Sequence, residues 1–227
     1  MKNGVRIVSC GDAALAVHFD ERPSPALARR IAALHESLRA RGNSAIESIP
    51  GLTSLTVLFA PDSIAAAQIE ALVVNGLEHS GEKERPVREW TIPVCYEGAL
   101  APDLEYVAGA CGLTTAEVVA AHTARAYTVY LLGFSPGFPY MGDLDPRLAL
   151  PRRSDPRPRV PEGAVAIATG YTAIYPQETA GGWHVIGATP VKLFDPLREP
   201  PALLAPGDTV RFEAIPRGEF DRLREGT

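Results

Sequence analysis

Three strings decide what kind of structure this chain forms: YLLGFSPGFPYMGDLDP at residues 130–146, PRRSDPRPRVPEG at 151–163 and GGWHVIGATP at 181–190. Glycine and proline at this density fix the backbone in tight loops. A short apolar run, ATGYTAIYP at 168–176, lies between the loops. Aromatic and arginine side chains supply stacking faces and forked hydrogen-bond donors. The pattern predicts a rigid, loop-rich binding surface on short β-strands, and we expect any small-molecule site to lie here.

The composition is that of an ordinary globular protein. The chain has 227 residues, of which 46% are hydrophobic and 22% are charged, and this length suits one large or two small domains. The formal net charge of -5 argues against nucleic acid as the main partner, because phosphate binding needs a basic face. The three cysteines lack the spacing of a disulfide framework or a metal site. Since no apolar run suits a membrane span or a signal peptide, we expect a cytoplasmic protein.

Residues 1–84 predict a small α/β domain. Ser24 and Pro25 are a typical N-cap and first residue of a helix, and Pro61 to Ser63 lead into a second helix that carries Ile64. The order ββαββα indicates a two-layer sandwich. The polar stretch at 79–89 indicates a linker or domain boundary. The four predicted strands are 4–9, 13–19, 45–49 and 54–60.

Residues 85–227 predict a β-rich second domain, so that the whole chain is of the α+β class. Two short helices come early in this part, one from Leu104 to Cys111 and one that Thr114 and Glu117 begin with a capping box. The spacing of the strands and turns predicts an antiparallel barrel or sandwich. The predicted strands are 88–96, 126–134, 165–169, 173–176, 183–187, 191–194 and 209–215.

Gly133, Ser135 and Gly137 match the G-x-S-x-G pattern of a nucleophile elbow. That elbow uses the backbone N–H of the residue after the serine, and here this residue is Pro136, which has none. The surrounding prolines also disfavour the helix that should follow. The sequence therefore predicts a shaped loop and no serine nucleophile.

A group of arginines stands among prolines in the second string. Stiff spacing lowers the entropy cost of presenting guanidinium groups to a carboxylate or phosphate. The alternative is a solvated face that Asp143, Asp145 and Asp155 partly neutralise. The residue pattern leaves both interpretations open. The arginines are Arg147, Arg152, Arg153, Arg157 and Arg159.

Trp183 and His184 follow a glycine pair and place a titratable imidazole beside a stacking ring. A lone histidine is also often structural, and the other histidines are spread through strand and helix patterns. The chain has no glycine-rich phosphate-binding loop of the P-loop or dinucleotide type. We expect no metal site and no nucleotide site formed by this chain alone.

From GDAALAVHF at 11–19 through IPGLTSLTVLF at 49–59 to GFSPGFPYMGDLD at 133–145, the chain resembles the 5-oxoprolinase B-subunit family. The family is also called KipI or allophanate hydrolase subunit 1, and it is similar to part of the carboxyltransferase region of urea carboxylase. The resemblance implies an N-terminal α/β domain followed by a cyclophilin-like β-barrel. It implies an ATP-dependent opening of 5-oxo-L-proline to L-glutamate. It also implies two partners, the cyclophilin-like C subunit (KipA-like) and an A-subunit-like protein, so that ATP is used by the complex and the chain alone is inactive.

On this resemblance we expect the chain to bind an amide or lactam substrate, with the residues that perform the chemistry unknown. The first group of residues would shape the pocket, the arginines would hold an anionic group, and the last group would line the opposite wall. These substrate-binding residues are Phe134, Gly137, Phe138 and Tyr140, then Arg153 and Arg157, then Thr172, Tyr175, Trp183 and His184.

The chain departs from the family pattern in three motifs: it has YTAIYP at 171–176 where the family usually has QTGIYP, TAGGW at 179–183 where it has SPGGW, and IGATP at 186–190 where it has IGRTP. Tyr171 stands where the family usually has glutamine, and Ala188 stands where it usually has arginine. Losing an amide and a forked cation leaves the identity of the substrate open. The alternatives are another amide such as allophanate, or a KipI-type regulator that binds and inhibits a sensor histidine kinase. Prolyl isomerase activity would rest on fold analogy alone.

Overall fold

The apolar faces of the sequence are buried in one hydrophobic cluster in the first unit of the chain and in three clusters in the second. A computed structural model describes residues 4–79 and 86–226, and the chain divides into Met1–Val87 and Arg88–Thr227. Both units combine helices with a β-sheet, so the predicted mixture of α and β structure is confirmed. Most of the predicted linker, at 80–85, lies outside the described residues.

The first unit is a four-stranded antiparallel sheet with strand order β1-β2-β4-β3 and two helices. The Ser24 side chain caps α1 by accepting from the backbone N–H of Leu27 at 3.1 Å, as expected. The helix α2 begins later than the sequence suggested, because the Gln68 side chain caps the N–H of Ala65 and Ile64 lies in the preceding turn. The elements are β1 Val5–Ser9, β2 Ala14–Phe19, α1 Pro25–Arg39, β3 Ile46–Pro50, β4 Ser54–Phe59 and α2 Ala66–His79.

The second unit is a seven-stranded sheet that curls until its two edge strands meet. Its strand order is β12-β9-β10-β7-β6-β13-β5, and β8 pairs with β11 separately. Cys95 and Ala188 join the edges by exchanging backbone hydrogen bonds of 2.8 and 2.9 Å. The elements are β5 Glu89–Val94, α3 Leu104–Cys111, α4 Thr115–Thr123, β6 Ala126–Leu132, β7 Pro139–Gly142, β8 Arg157–Val160, β9 Ala164–Ala168, β10 Tyr171–Ile174, β11 Thr179–Gly181, β12 His184–Ala188, β13 Thr209–Ala214 and α5 Arg217–Glu225.

Two strand predictions for this unit were wrong. The sheet is not wholly antiparallel, because β13 pairs with β5 in parallel register. They are the first and the last strand of this unit, so no short hairpin joins them and constrains their direction. Residues 191–194 form no strand. The N–H of Val191 turns back to the Thr189 side chain, and only Phe194 makes a bridge, to Ala202.

The helices α3, α4 and α5 of the second unit contact its sheet. The capping box of α4 is confirmed, since the Thr114 side chain accepts from the Glu117 N–H and the Glu117 side chain accepts from the Thr114 N–H. The sequence analysis missed α5. Phe220 of this helix is buried against Cys95 and Ala188, so α5 lies over the point where the sheet closes.

Candidate functional site

The glycine-proline loop is a rigid turn. The Phe138 N–H donates to the Ser135 carbonyl at 3.0 Å, and Gly137 has a φ of 78° that favours glycine. Phe134 also has a positive φ, 71°, and its side chain is 64% exposed. The chain continues into β7 and not into a helix, so Ser135 lacks the strand-to-helix context of a nucleophile elbow.

The aromatic residues predicted to shape a pocket pack on one another. The Phe138 ring centroid lies 5.1 Å from those of Tyr140 and Tyr175 and 5.9 Å from that of Trp183, each in an edge-on arrangement. Phe138 and Tyr175 are both 1% exposed. Burial raises the pKa of Tyr175 to about 12. Phe138, Tyr175 and Trp183 therefore form a buried aromatic core, and Tyr140 packs against it while partly exposed.

Arg153 and Arg157 converge on one buried carboxylate, that of Asp103. Arg157 donates from both terminal nitrogens, at 2.6 and 2.7 Å, and Arg153 donates from Nη1 at 2.9 Å. The backbone N–H of Val185 supplies a further bond of 2.7 Å. Asp103 is 3% exposed. We call Asp103, Arg153, Arg157 and the Val185 N–H the Asp103 cluster.

Opposing effects set the pKa of Asp103. Burial alone would raise this pKa, but the hydrogen bonds from Arg157 and Val185 and the charges of Arg157 and Arg153 outweigh burial and lower it. The carboxylate therefore stays ionised. The two arginines are held in place within the chain, and their binding of an external anion stays a prediction.

A cleft of about 750 Å³ lies beside the Asp103 cluster. Arg157 is the one residue of the predicted site that lines it. Its other walls come from the turn at 98–100, β8, β12 and α5. Four cations and two carboxylates line the cleft, namely Arg157, Arg159, Lys192, Arg224, Glu162 and Glu178.

His184 lies near this cluster but faces Tyr106. The two rings stack with centroids 5.2 Å apart. The His184 Nε2–H donates to the Pro151 carbonyl at 3.0 Å. Its Nδ1 atom is buried and has no hydrogen-bond partner among the described residues. The histidine is 3% exposed, and its role in substrate binding stays a prediction.

Thr172 lies elsewhere, in an interior hydrogen-bond network. Its hydroxyl donates to the Ala166 carbonyl at 3.3 Å, so its oxygen accepts from His122 Nε2 at 2.9 Å. The Tyr96 hydroxyl then donates to His122 Nδ1 at 2.7 Å. Burial lowers the pKa of His122 to about 3. We call Tyr96, His122 and Thr172 the His122 network; the structure does not bring Thr172 together with Trp183 and His184.

Comparison with known proteins places the chain in a family. The protein-family model described as carboxyltransferase domain, subdomain C and D, matches residues 5–204 of this chain. The B subunit of 5-oxoprolinase from Escherichia coli O157:H7 is 43% identical over 210 residues, which are 92% of this chain and 94% of that protein. This chain belongs to the 5-oxoprolinase B-subunit family.

Other members and solved structures agree with this assignment. The B subunit of 5-oxoprolinase from Bacillus subtilis (strain 168) is 38% identical over 237 residues, 97% of each protein. A crystal structure of TTHA0988 matches with a TM-score of 0.78 and 37% identity over 89% of this chain, which spans 40% of that chain. The Kluyveromyces lactis urea amidolyase shares the fold, with a TM-score of 0.76 at 20% identity over 97% of this chain and 15% of its own. The names of these 5-oxoprolinase relatives do not favour kinase inhibition or allophanate hydrolysis.

Ala188 and Tyr171, which both depart from the family pattern, lie in different parts of the structure. Ala188 lines the cleft, where the usual arginine would add a cation. Tyr171 lies outside the cleft lining, with its ring centroid 6.4 Å from that of Tyr130. Among the described residues, no helix is long and apolar enough to cross a membrane.

The sequence analysis missed Asp103 and most of the cleft. The signal for Asp103 was its place just before α3, where a carboxylate suits a helix N-terminus. Its true partners lie 50 to 82 positions away, which local patterns cannot reveal. The signal for α5 was Phe220 and Leu223 at helical spacing with an Arg217–Asp221 pair on the same helix.

Proposed function

We propose that this chain is the B subunit of an ATP-dependent 5-oxoprolinase that opens 5-oxo-L-proline to L-glutamate. One observation carries the proposal: the corresponding 5-oxoprolinase protein of Escherichia coli is similar along nearly its whole length, at 43% identity over 94% of that protein. Similarity over that length supports a shared role better than a shared motif does.

The chain works with partners in this proposal. The cyclophilin-like C subunit, together with an A-subunit-like protein, completes the enzyme in the cytoplasm, and the curled sheet of the second unit is the cyclophilin-like barrel of this chain. The sequence has no phosphate-binding loop of a known type, which supports ATP being used by the complex. The isolated chain is then inactive.

The chain's contribution is binding and positioning. Hydrolysis of the lactam breaks its C–N bond, adds the oxygen of water to the carbonyl carbon and leaves a proton on the nitrogen. The Asp103 cluster fixes Arg153 and Arg157 through charge-assisted hydrogen bonds. The core of Phe138, Tyr140 and Trp183 supports the loops around them. A preset arrangement of this kind lowers the entropy cost of holding a substrate.

The test is release of L-glutamate from 5-oxo-L-proline with ATP. The chain is co-expressed with its two proposed partner proteins, and the control is the same preparation without this chain. Release that requires both ATP and this chain supports the proposal. An assembled complex that contains the folded chain and releases no glutamate would refute it.

A further inference from the structure

The cleft beside the Asp103 cluster has the size of a small-molecule site. Its volume of about 750 Å³ falls within the roughly 300–1,000 Å³ of typical ligand pockets. Prolines and small residues keep much of its wall fixed, including Pro102, Pro161 and Gly163. Gly163 has a φ of 81°, and a Cβ atom there would collide with the Thr189 carbonyl oxygen.

Two of the four cations that line the cleft have a carboxylate partner outside its lining. Asp103 neutralises Arg157, and Asp195 lies 3.2 Å from Lys192. Arg159 and Arg224 then face Glu162 and Glu178 within the lining. The two remaining cations are matched in number by two carboxylates, so a ligand with a single negative charge suits this lining better than a polyanion such as ATP. A small ligand that has both one carboxylate and an N–H donor would find partners for each.

Arg159 and Arg224 are the cations best suited to an external carboxylate. The Arg159 side chain is 82% exposed, and its distance to Glu178 is 3.9 Å, too long for a hydrogen bond. On α5, Arg217 and Arg222 pair with Asp221 and Glu219 on the same helix, whereas Arg224 lines the cleft.

We propose that this cleft binds a small lactam monocarboxylate. The ligand's carboxylate bonds to the guanidinium groups of Arg159 and Arg224, and the amide N–H donates to Glu162 or Glu178. This inference rests on the proposed function, because 5-oxo-L-proline is such a molecule. It places the anion site at Arg159 and Arg224 instead of at Arg153 and Arg157.

The test is direct titration of the full chain, followed by calorimetry or ligand-observed NMR. The probes are 5-oxo-L-proline, 2-pyrrolidinone, which lacks the carboxylate, and cyclopentanecarboxylate, which lacks the amide. We expect 5-oxo-L-proline to bind about tenfold or more tightly than either truncated probe, since each loses a charge-assisted hydrogen bond. Magnesium-ATP should not compete.

Matched variants locate the site. R159A and R224A should each weaken binding of 5-oxo-L-proline about tenfold, whereas R222A, on the same helix but paired with Glu219, should not. Equal binding of 2-pyrrolidinone, equal loss in R222A and R224A, or no binding at millimolar concentration would each overturn the proposal.

The two proposals fail differently. If the assembled complex releases glutamate and R224A leaves its KM unchanged, the cleft proposal is wrong and the proposed function stands. If the chain binds the lactam through Arg224 but the complex releases no glutamate, the cleft stands and the reaction is another one.

Discussion

The second unit contains two buried polar clusters, and they satisfy their buried polar groups in different ways. The His122 network is neutral, and His122 and Thr172 are fully buried. The Asp103 cluster is charged, and its arginine side chains remain 27% and 25% exposed. Arg157 of the Asp103 cluster lines the cleft of about 750 Å³, whereas the His122 network reaches a separate, more open pocket only through Tyr96.

The two clusters differ in charge and in access to solvent. His122 and Thr172 of the neutral network are fully buried, and their hydrogen bond joins α4 to the sheet. A charged cluster costs desolvation energy when it forms, and it keeps guanidinium groups fixed where solvent and ligands can approach. We therefore expect the two clusters to respond differently to mutation and to pH.

The largest effect should come from removing the shared carboxylate. Asp103→Ala leaves two arginines and the Val185 N–H without their acceptor. Breaking a buried ion cluster in this way costs about 3–5 kcal/mol of the free energy of unfolding. Urea unfolding followed by tryptophan fluorescence measures this loss, because both tryptophans, Trp90 and Trp183, lie in the second unit.

Asp155 offers a matched control for this variant. It is an exposed aspartate in the same arginine-rich segment, and Asp155→Ala should change the free energy of unfolding by less than about 0.5 kcal/mol. A loss below about 1 kcal/mol in Asp103→Ala would show that solvent replaces the carboxylate, and the cluster would then be no more than a surface salt bridge.

The next effect is a difference in pH dependence. The pKa of His122 is about 3 in the folded protein and 6.5 as the ordinary value. Between these values the unfolded chain binds a proton that the folded chain does not. Stability is therefore greatest above pH 6.5 and falls by about 1.4 kcal/mol per pH unit below it. Asp103, whose folded pKa lies below its ordinary value of 3.8, adds a loss only below that value.

His122→Gln removes the titrating group and so isolates its contribution to the pH dependence of the free energy of unfolding. Urea unfolding at several pH values between 6.5 and 4 should show a shallower slope for this variant than for the wild type. The comparison is needed because burial also lowers the pKa of His35 in the first unit, and that histidine contributes in the same direction. Identical slopes would mean that His122 is protonated in the folded protein and that the network is not neutral.

Local patterns in the sequence were enough to predict most of the helices and strands, but they did not predict these two clusters. Ser24 and Thr114 identified helix starts because a cap depends on neighbours within a few residues. Asp103 contacts Arg153 and Arg157 across 50 and 54 positions of the sequence, with β6 and β7 between them. The position of α5 likewise depends on the meeting of Cys95 and Ala188. Long-range pairing, which no local period records, therefore decides where the cleft lies.

A smaller effect should follow from removing one hydroxyl of the His122 network. Tyr96→Phe leaves Nδ1 of His122 buried without its donor, which costs about 1–3 kcal/mol of the free energy of unfolding. Tyr106→Phe is the control, because Tyr106 is 61% exposed and should change stability little. Equal effects of the two variants would contradict a sealed network that depends on its internal hydrogen bonds.

The smallest effect is expected at Ser135, whose side chain belongs to neither cluster. Its hydroxyl is buried and has no hydrogen-bond partner among the described residues, so Ser135→Ala removes a polar atom that gains nothing from burial. The free energy of unfolding should change by less than about 0.5 kcal/mol, and the reconstituted complex should release glutamate at the wild-type rate. Loss of activity with stability unchanged would restore the serine as a nucleophile candidate. Retained activity would leave Ser135 as part of a turn whose shape depends on Pro136 and Gly137, because backbone geometry at that loop does not require the hydroxyl.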